Sequence, residues 1–256
     1  KKTMMVAQQL YEGVKVKGEG NVGLVTYIRT DSFRLSDEAV ENAKQFILSN
    51  FGEKYYKYRV YKKSKKNESK VQDAHEAIRP TSLLRTPEKI KDSLTSDQYK
   101  LYSLIWKRAV ACQMADAEYD VTKVLFNNND NIFESNGKVL VFDGFRAVYG
   151  YADEKDEKMF PEVKINEVLD ISKVIPEQHF TQPPARYTEA SLIKDLEEKG
   201  IGRPSTYAPT ITTITSRDYV VKEKGYLIPT DMGFLVTEMM EKYFPKIVNE
   251  KFTADL

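Results

Sequence analysis

The hydrophobic period of this 256-residue chain changes twice, and that restricts its fold more than any other feature. Up to about residue 114 the apolar residues recur at helical spacing. Residues 3–12 read as the end of an amphipathic helix with Met4, Ala7, Gln8 and Tyr11 on one face. Gly18, Gly20 and Gly23 break it before a strand-like Leu24 to Tyr27. Ser36 suits the N-cap of a helix reaching about Asn50, since Asp37 and Glu38 favour its positive end and Gly52 stops it. Thr86-Pro87-Glu88 opens another helix with proline at its first position. A further helix begins near Ser96, with Leu101, Leu104, Ile105, Ala109 and Cys112 at helical spacing.

The period then shortens to that of strands. Tyr119 to Phe126 reads as a strand and Asn127 to Asp130 as a turn. Ile132 to Phe142 reads as a hairpin about Asn136-Gly137, a type I′ turn signal. Val163 to Ile175 adds strand-like sequence, and the charged Asp153 to Lys158 reads as an exposed loop. Helices return after the Pro183-Pro184 pair. Thr188 caps one to Lys199, Gly200-Ile201-Gly202 turns the chain, and a second runs from about Thr206 to Ser216. A hairpin over Tyr219 to Ile228 follows, completing the order of a winged helix-turn-helix. The expectation is a multidomain α+β chain: 1–114 mainly helical, 115–180 β-rich, and 181–256 helical and winged-helix-like.

Composition narrows the class. With 41% hydrophobic and 30% charged residues, the chain has the balance of an ordinary soluble protein with a real core. No apolar run approaches the roughly 20 residues of a membrane span, so no membrane partner is expected. The opening Lys1 to Met5 does not read as a signal peptide. The single cysteine, Cys112, excludes a disulfide framework and a cysteine-based zinc site, and fits a reducing, cytoplasmic setting. Net charge is +1, but its distribution is uneven. Between Lys54 and Lys70 run seven further cations, Lys70 included, opposed only by Glu68 and interleaved with Tyr55, Tyr56, Tyr58 and Tyr61. Cations with aromatic faces suit a single-stranded nucleic-acid groove; a solvated basic loop with half its tyrosines in a core reads the same way.

One segment concentrates chemistry: Gly23-Leu-Val-Thr-Tyr27-Ile-Arg29-Thr30-Asp31-Ser32. A tyrosine phenol is a poor nucleophile near neutral pH and becomes useful only where cations and hydrogen-bond donors stabilise developing charge. Arg29 offers a planar fork to a phosphate, and Thr30 and Ser32 can donate further hydrogen bonds. Spacing alone favours a strand end at Tyr27, followed by a turn and a helix cap.

The wording of three segments goes further. Thr26-Tyr27-Ile28-Arg29-Thr30-Asp31-Ser32 resembles the active-site signature of type IA DNA topoisomerases. His75-Glu76-Ala77-Ile78-Arg79-Pro80-Thr81 resembles that family's HEAIRPT motif. Pro183-Pro-Ala-Arg186-Tyr-Thr-Glu189-Ala-Ser191-Leu, running into Gly200-Ile-Gly202-Arg203-Pro204-Ser205-Thr206-Tyr207, resembles its PPARYTEASL and GIGRPSTY block. All three stand in the family's order. Ile28 lies where topoisomerase III enzymes usually carry proline, which favours the bacterial topoisomerase I branch.

The resemblance implies roles. Tyr27 would attack a DNA phosphodiester, giving a covalent link to the 5′ side of the break and allowing resealing without ATP. Arg29 would bind the phosphate and stabilise transition-state charge. Asp31 would orient Arg29 or the turn. His75 would bind phosphate when protonated or relay a proton, Glu76 would hold a basic partner, and Arg79 would point to the nucleic-acid groove. Arg186, Arg203, Ser205 and Thr206 would contact DNA, the last three at a helix N-terminus. The other histidine, His179, matches no motif and reads as structural. The implied partner is DNA, chiefly single-stranded. The implied cofactor is Mg²⁺, held in the complete enzyme by an Asp-x-Asp cluster that does not occur here. The expectation is therefore an internal piece of a longer enzyme, without its own metal site and inactive alone. A non-enzymatic winged-helix DNA-binding protein is the alternative, but it has no use for the first two motifs.

Overall fold

The computed structural model describes residues 2–61, 75–150 and 160–255. Helix α1 (Lys2–Glu12) leads into a short hairpin of β1 (Val14–Val16) and β2 (Gly20–Val22), paired antiparallel from Val14↔Val22 to Val16↔Gly20. The sequence reading missed this hairpin because its strands are only three residues long. The face read for α1 is met in part: Ala7 is buried and Met4 packs against the core beside Val6 and Leu10, whereas Tyr11 is exposed.

Helix α2 (Asp37–Asn50) starts as expected, the Ser36 hydroxyl accepting from the Ala39 N–H. It ends at Phe51, before Gly52 at φ 98°. The four-residue α3 (Pro87–Ile90) precedes α4 (Ser96–Ala111), whose start is a reciprocal capping box between Thr95 and Gln98. Helix α1 packs against α4, and Val6, Leu10, Leu24, Val25, Ile47, Tyr102, Trp106 and Met114 share one core. Its polar atoms are satisfied by the intervening loop: the Tyr102 hydroxyl donates to the Arg85 carbonyl (2.7 Å) and the Trp106 indole to the Leu83 carbonyl (3.1 Å). Burial pushes the Tyr102 phenol well above its ordinary range.

A long antiparallel hairpin, β3 (Glu118–Asn128) and β4 (Asn131–Phe142), leaves this body and returns to it. Asn136 and Gly137 are not its turn; they sit inside β4 opposite Lys123 and Thr122. The chain turns at Asn129 and Asp130, where Asn129 adopts φ 57°. From there the strands pair without a break, from Asn128↔Asn131 to Tyr119↔Leu140. The base is pinned where Phe145 N–H donates to the Ala115 carbonyl (2.9 Å). Gly144 has φ 50°, and a Cβ there would lie 2.3 Å from the Asp116 carbonyl oxygen. Helix α5 (Arg146–Tyr149) closes the body.

The strand expected over Val163 to Ile175 is absent: these residues carry a single turn, with Ile165 94% exposed. A β-prone run with no neighbouring strand and no face to bury does not become a sheet. His179, read as structural, is an exposed side chain 3.3 Å from Glu177. The loop expected over Asp153 to Lys158 lies outside the described residues.

Helix α6 (Glu189–Glu198) is capped by Thr188, and α7 (Tyr207–Ser216) follows the glycine turn. The hairpin of β5 (Val220–Glu223) and β6 (Tyr226–Pro229) then docks against the start of α6, through a Thr188↔Tyr226 bridge and a Leu227 N–H to Tyr187 carbonyl bond (2.7 Å). Helices α8 (Asp231–Tyr243) and α9 (Glu250–Asp255) end the chain. Among the described residues the sheets are these three two-stranded hairpins, and no helix is long and apolar enough to cross a membrane.

Candidate functional site

Two of the singled-out segments, more than forty positions apart in sequence, run side by side. Val25 and Pro80 form an antiparallel bridge. Around it Thr26 N–H donates to the Arg79 carbonyl (2.9 Å), Thr81 N–H to the Leu24 carbonyl (3.0 Å), and Arg79 N–H to the Thr26 hydroxyl oxygen (2.9 Å). The Thr26 hydroxyl donates in turn to the Ala77 carbonyl (2.8 Å). The strand-like reading of Leu24 to Tyr27 is thus met by a short ladder in which Leu24, Val25 and Thr26 pair with 79–81. The pairing fixes where the next residue, Tyr27, leaves the core.

Tyr27 is half-buried, and His75 stacks on its ring with centroids 4.8 Å apart and planes inclined by 28°. Tyr11 meets the same ring edge-on at 5.5 Å and 71°. Ile28 is buried, so the chain is anchored immediately after Tyr27, and Arg29 projects into solvent with no ion pair among the described residues. The next residues form two successive side-chain-closed turns: Ser32 N–H donates to the Thr30 hydroxyl oxygen (3.0 Å) and Arg34 N–H to the Ser32 hydroxyl oxygen (3.2 Å). Ser32 is only 7% exposed. Its hydroxyl organises the turn, which corrects the expectation of a surface donor. Asp31 is half-buried beside it.

Glu76 and Arg79 form a two-pronged ion pair, Nε to Oε2 at 2.8 Å and Nη2 to Oε1 at 3.3 Å. The carboxylate also accepts from Ser36 N–H (3.2 Å), tying the segment to the α2 cap. The Arg79 guanidinium holds the Glu76 carboxyl below the ordinary carboxylate range, aided by Ser36 and opposed by burial. Glu76 therefore has the basic partner expected of it. Arg79 is turned back onto Glu76 and the Pro80 carbonyl (3.1 Å), yet still lines a cleft.

That cleft, about 640 Å³, lies between the Thr30–Phe33 turn, Arg79 and Arg108 on one side and Glu197, Pro204 and Tyr207 on the other. Burial raises the Tyr207 phenol, as do Glu197 and Asp31, against the pull of Arg203. The third motif block is therefore brought against the first two. Its anion site is weaker than its sequence implied. Thr206 and Tyr207 N–H both donate to the Arg203 carbonyl (2.8 and 3.2 Å), and Pro209 has no N–H, so the start of α7 offers few free donors. The Thr206 hydroxyl accepts from Arg203 N–H (2.9 Å) instead of capping the helix. Ser205 and Arg203 are exposed, the Arg203 guanidinium resting on the Gly202 carbonyl (2.7 Å), and Arg186 is exposed on the segment before α6.

The basic stretch divides. Lys62 to Lys70 lie outside the described residues. Lys57 and Arg59 pair with Asp116, Tyr55 donates to Asp143 (2.8 Å), and Tyr61 to the Cys112 carbonyl (2.9 Å), so half of this stretch fastens the chain to α4 and the hairpin base. Tyr58 remains 61% exposed. Among the described residues no group of three or more His, Cys, Asp or Glu could hold a metal ion. The expected Mg²⁺ therefore finds no ligand set in them, and no chemical step is routed through it. Arg108 and Tyr207 were not singled out from the sequence, and Tyr11 was read only as part of a helix face. Tyr207 lay within a quoted motif, whereas Arg108 gave no local signal.

A DNA topoisomerase family profile matches residues 1–256. Among solved structures, full-length topoisomerase I from Thermotoga maritima is 40% identical and superposes with a TM-score of 0.80. The match covers 98% of this chain and 40% of the Thermotoga chain.

Proposed function

The chain belongs to the bacterial type IA DNA topoisomerase family, and on that premise we propose that it supplies the nucleophile with which a longer enzyme opens and reseals one DNA strand. It spans 40% of the relative's length, so the strand passage and relaxation of the whole enzyme are part of this proposal. The observation that carries the reading is the ladder between the first two motifs, which delivers Tyr27 to a half-open position against His75.

In the proposed step Tyr27 Oη attacks the scissile phosphorus. The Oη–P bond forms as the P–O3′ bond breaks, the phenolic proton leaves, and the 3′ oxygen takes up a proton. The DNA is left with a free 3′ hydroxyl and a 5′ phosphate on the tyrosine. Reversal reseals the strand, because the phosphotyrosyl link conserves the phosphodiester. Arg29 stands two residues on with its guanidinium in solvent, suited to carry the developing charge on the phosphoryl oxygens. His75 fixes the Tyr27 ring by stacking and offers its imidazole to the same phosphate. Glu76 keeps Arg79 at the rim of the cleft, where Arg108 adds a second cation. DNA, chiefly single-stranded, is the proposed partner. The α6–α7 helices with the β5–β6 hairpin act as a winged-helix-like module that presents Arg186, Arg203, Ser205 and Thr206 to it. The proposed compartment is the cytoplasm.

The test is adduct trapping. In the full-length enzyme carrying this chain, Tyr27→Phe should abolish the covalent protein–DNA species and plasmid relaxation while binding of a labelled oligonucleotide persists within a few-fold. A trapped adduct in that variant would dismiss Tyr27 as nucleophile.

A further inference from the structure

We propose that Tyr11 is a positioning residue for Tyr27: the C-terminal end of α1 holds the Tyr11 ring against the Tyr27 ring and so selects the rotamer from which the phenol reaches phosphate. This rests on the reading of Tyr27 as nucleophile and adds a residue that no motif contains.

Two independent features place Tyr11 there. The first is the ring contact, 5.5 Å between centroids at 71°, an edge-to-face geometry favoured by aromatic quadrupoles. The second lies in the backbone. Leu24 N–H donates to the Leu10 carbonyl (2.7 Å), and Gly23 approaches so closely that a Cβ there would sit 2.8 Å from the Tyr11 carbonyl oxygen. Leu10 is wholly buried, so this helix end cannot shift without opening the core. The end of α1 and the segment leading to Tyr27 are therefore one rigid piece, and the glycine permits the contact.

The physical need is clear from the surroundings. Tyr27 follows a short ladder and is only half-buried, so its backbone alone leaves several side-chain rotamers open. His75 restrains the ring by stacking, and Tyr11 restrains it by an edge contact. A nucleophile displaced by an ångström can lose about a hundredfold in rate, so a neighbour that removes wrong rotamers raises cleavage without touching DNA. The Tyr11 hydroxyl makes no hydrogen bond among the described residues, so the ring is the working part.

The experiment compares Tyr11→Phe and Tyr11→Leu in the full-length enzyme carrying this chain. It measures single-turnover cleavage of a labelled single-stranded oligonucleotide and, separately, its equilibrium binding. Tyr11→Phe should cleave within about twofold of the parent, and Tyr11→Leu about tenfold slower with Kd unchanged. Thermal melting should match the parent, since Tyr11 is exposed at a helix end; if Tyr11→Leu melts early, the unbranched Tyr11→Met gives the same ringless comparison. Equal cleavage in the ringless variants would overturn the proposal, as would parallel losses in cleavage and Kd, which mark a DNA contact. A slow Tyr11→Phe would also overturn it, pointing to the hydroxyl. Tyr27→Phe, run alongside, separates these outcomes from failure of the nucleophile reading itself.

Discussion

Leu10 and Leu235 are the same residue type on helices of similar length, yet Leu10 is wholly buried and Leu235 is 53% exposed. The contrast holds for the regions around them. Residues 2–61 and 75–150 gather α1, α2 and α4 on one apolar core, and the ladder that presents Tyr27 is built directly on it. Residues 188–255 bury only Ile211 and Leu227 among their apolar side chains, while Phe234, Met239, Phe244 and Ile247 stand in solvent. There the order comes from caps and close backbone approaches. Thr230 caps α8 through Gly233 N–H (3.0 Å), and a Cβ on Gly233 would lie 2.2 Å from the Tyr219 carbonyl oxygen. The first region thus derives its rigidity from burial and the second from backbone geometry. A site that must hold a nucleophile within an ångström belongs on the first.

The largest effects should separate the two leucines. Leu10→Ala should destabilise by about 2–5 kcal/mol in urea unfolding, through lost burial and a residual cavity. Leu235→Ala should change little, within about 0.5 kcal/mol. Equal losses would mean that α8 has a core after all. Next come the caps. Thr95→Ala and Thr188→Ala each remove a capping box, at a local cost of about 1 kcal/mol. The first should lower global stability, because α4 is part of the core. The second should show as faster amide exchange over 189–198 with an unchanged global transition. A global shift from Thr188→Ala would erase the distinction.

The smallest effect is electrostatic and depends on pH. Glu76 is held below its ordinary range by Arg79, so its stabilisation is complete above the unfolded carboxyl value and is lost as pH falls through the lower folded one. Glu76→Gln should therefore destabilise by under about 1 kcal/mol at pH 7, a quarter of the side chain being in water, and the difference should close toward pH 3. In the other region, Lys199→Met removes an exposed pair with Glu250 and Asp195 and should leave the melting curve where it was. A gap that widened in acid would contradict the ion-pair account of Glu76.

What could be read beforehand followed the range of the forces involved. Caps act over three residues, so Ser36 and Thr188 announced their helices, and the Glu76–Arg79 pair was foreseeable in kind because both sit in one short segment. Asn136-Gly137 misled for the opposite reason. A local turn preference lost to a register that only the whole of β3 and β4 defines. Val163 to Ile175 had the composition of a strand but no partner to pair with. In the site, the motif wording singled out Tyr27, Arg29 and His75. Nothing near Tyr11 in sequence revealed that Gly23 would let α1 press its last turn onto them, and the retreat of the α7 N–H groups onto the Arg203 carbonyl was equally silent.

The pinned base of the β3–β4 hairpin has a consequence for how such a protein can vary. The chain leaves at Asp116 and returns at Gly144, and these points touch, so the excursion between them is a closed detour. Its reach can change without moving either neighbour. Deleting one cross-strand pair shortens it by about 3.4 Å but exchanges its two faces; deleting two pairs restores them. Length here is a dial with even-numbered stops, open to adjustment by evolution or by an engineer while the rest of the molecule keeps its frame.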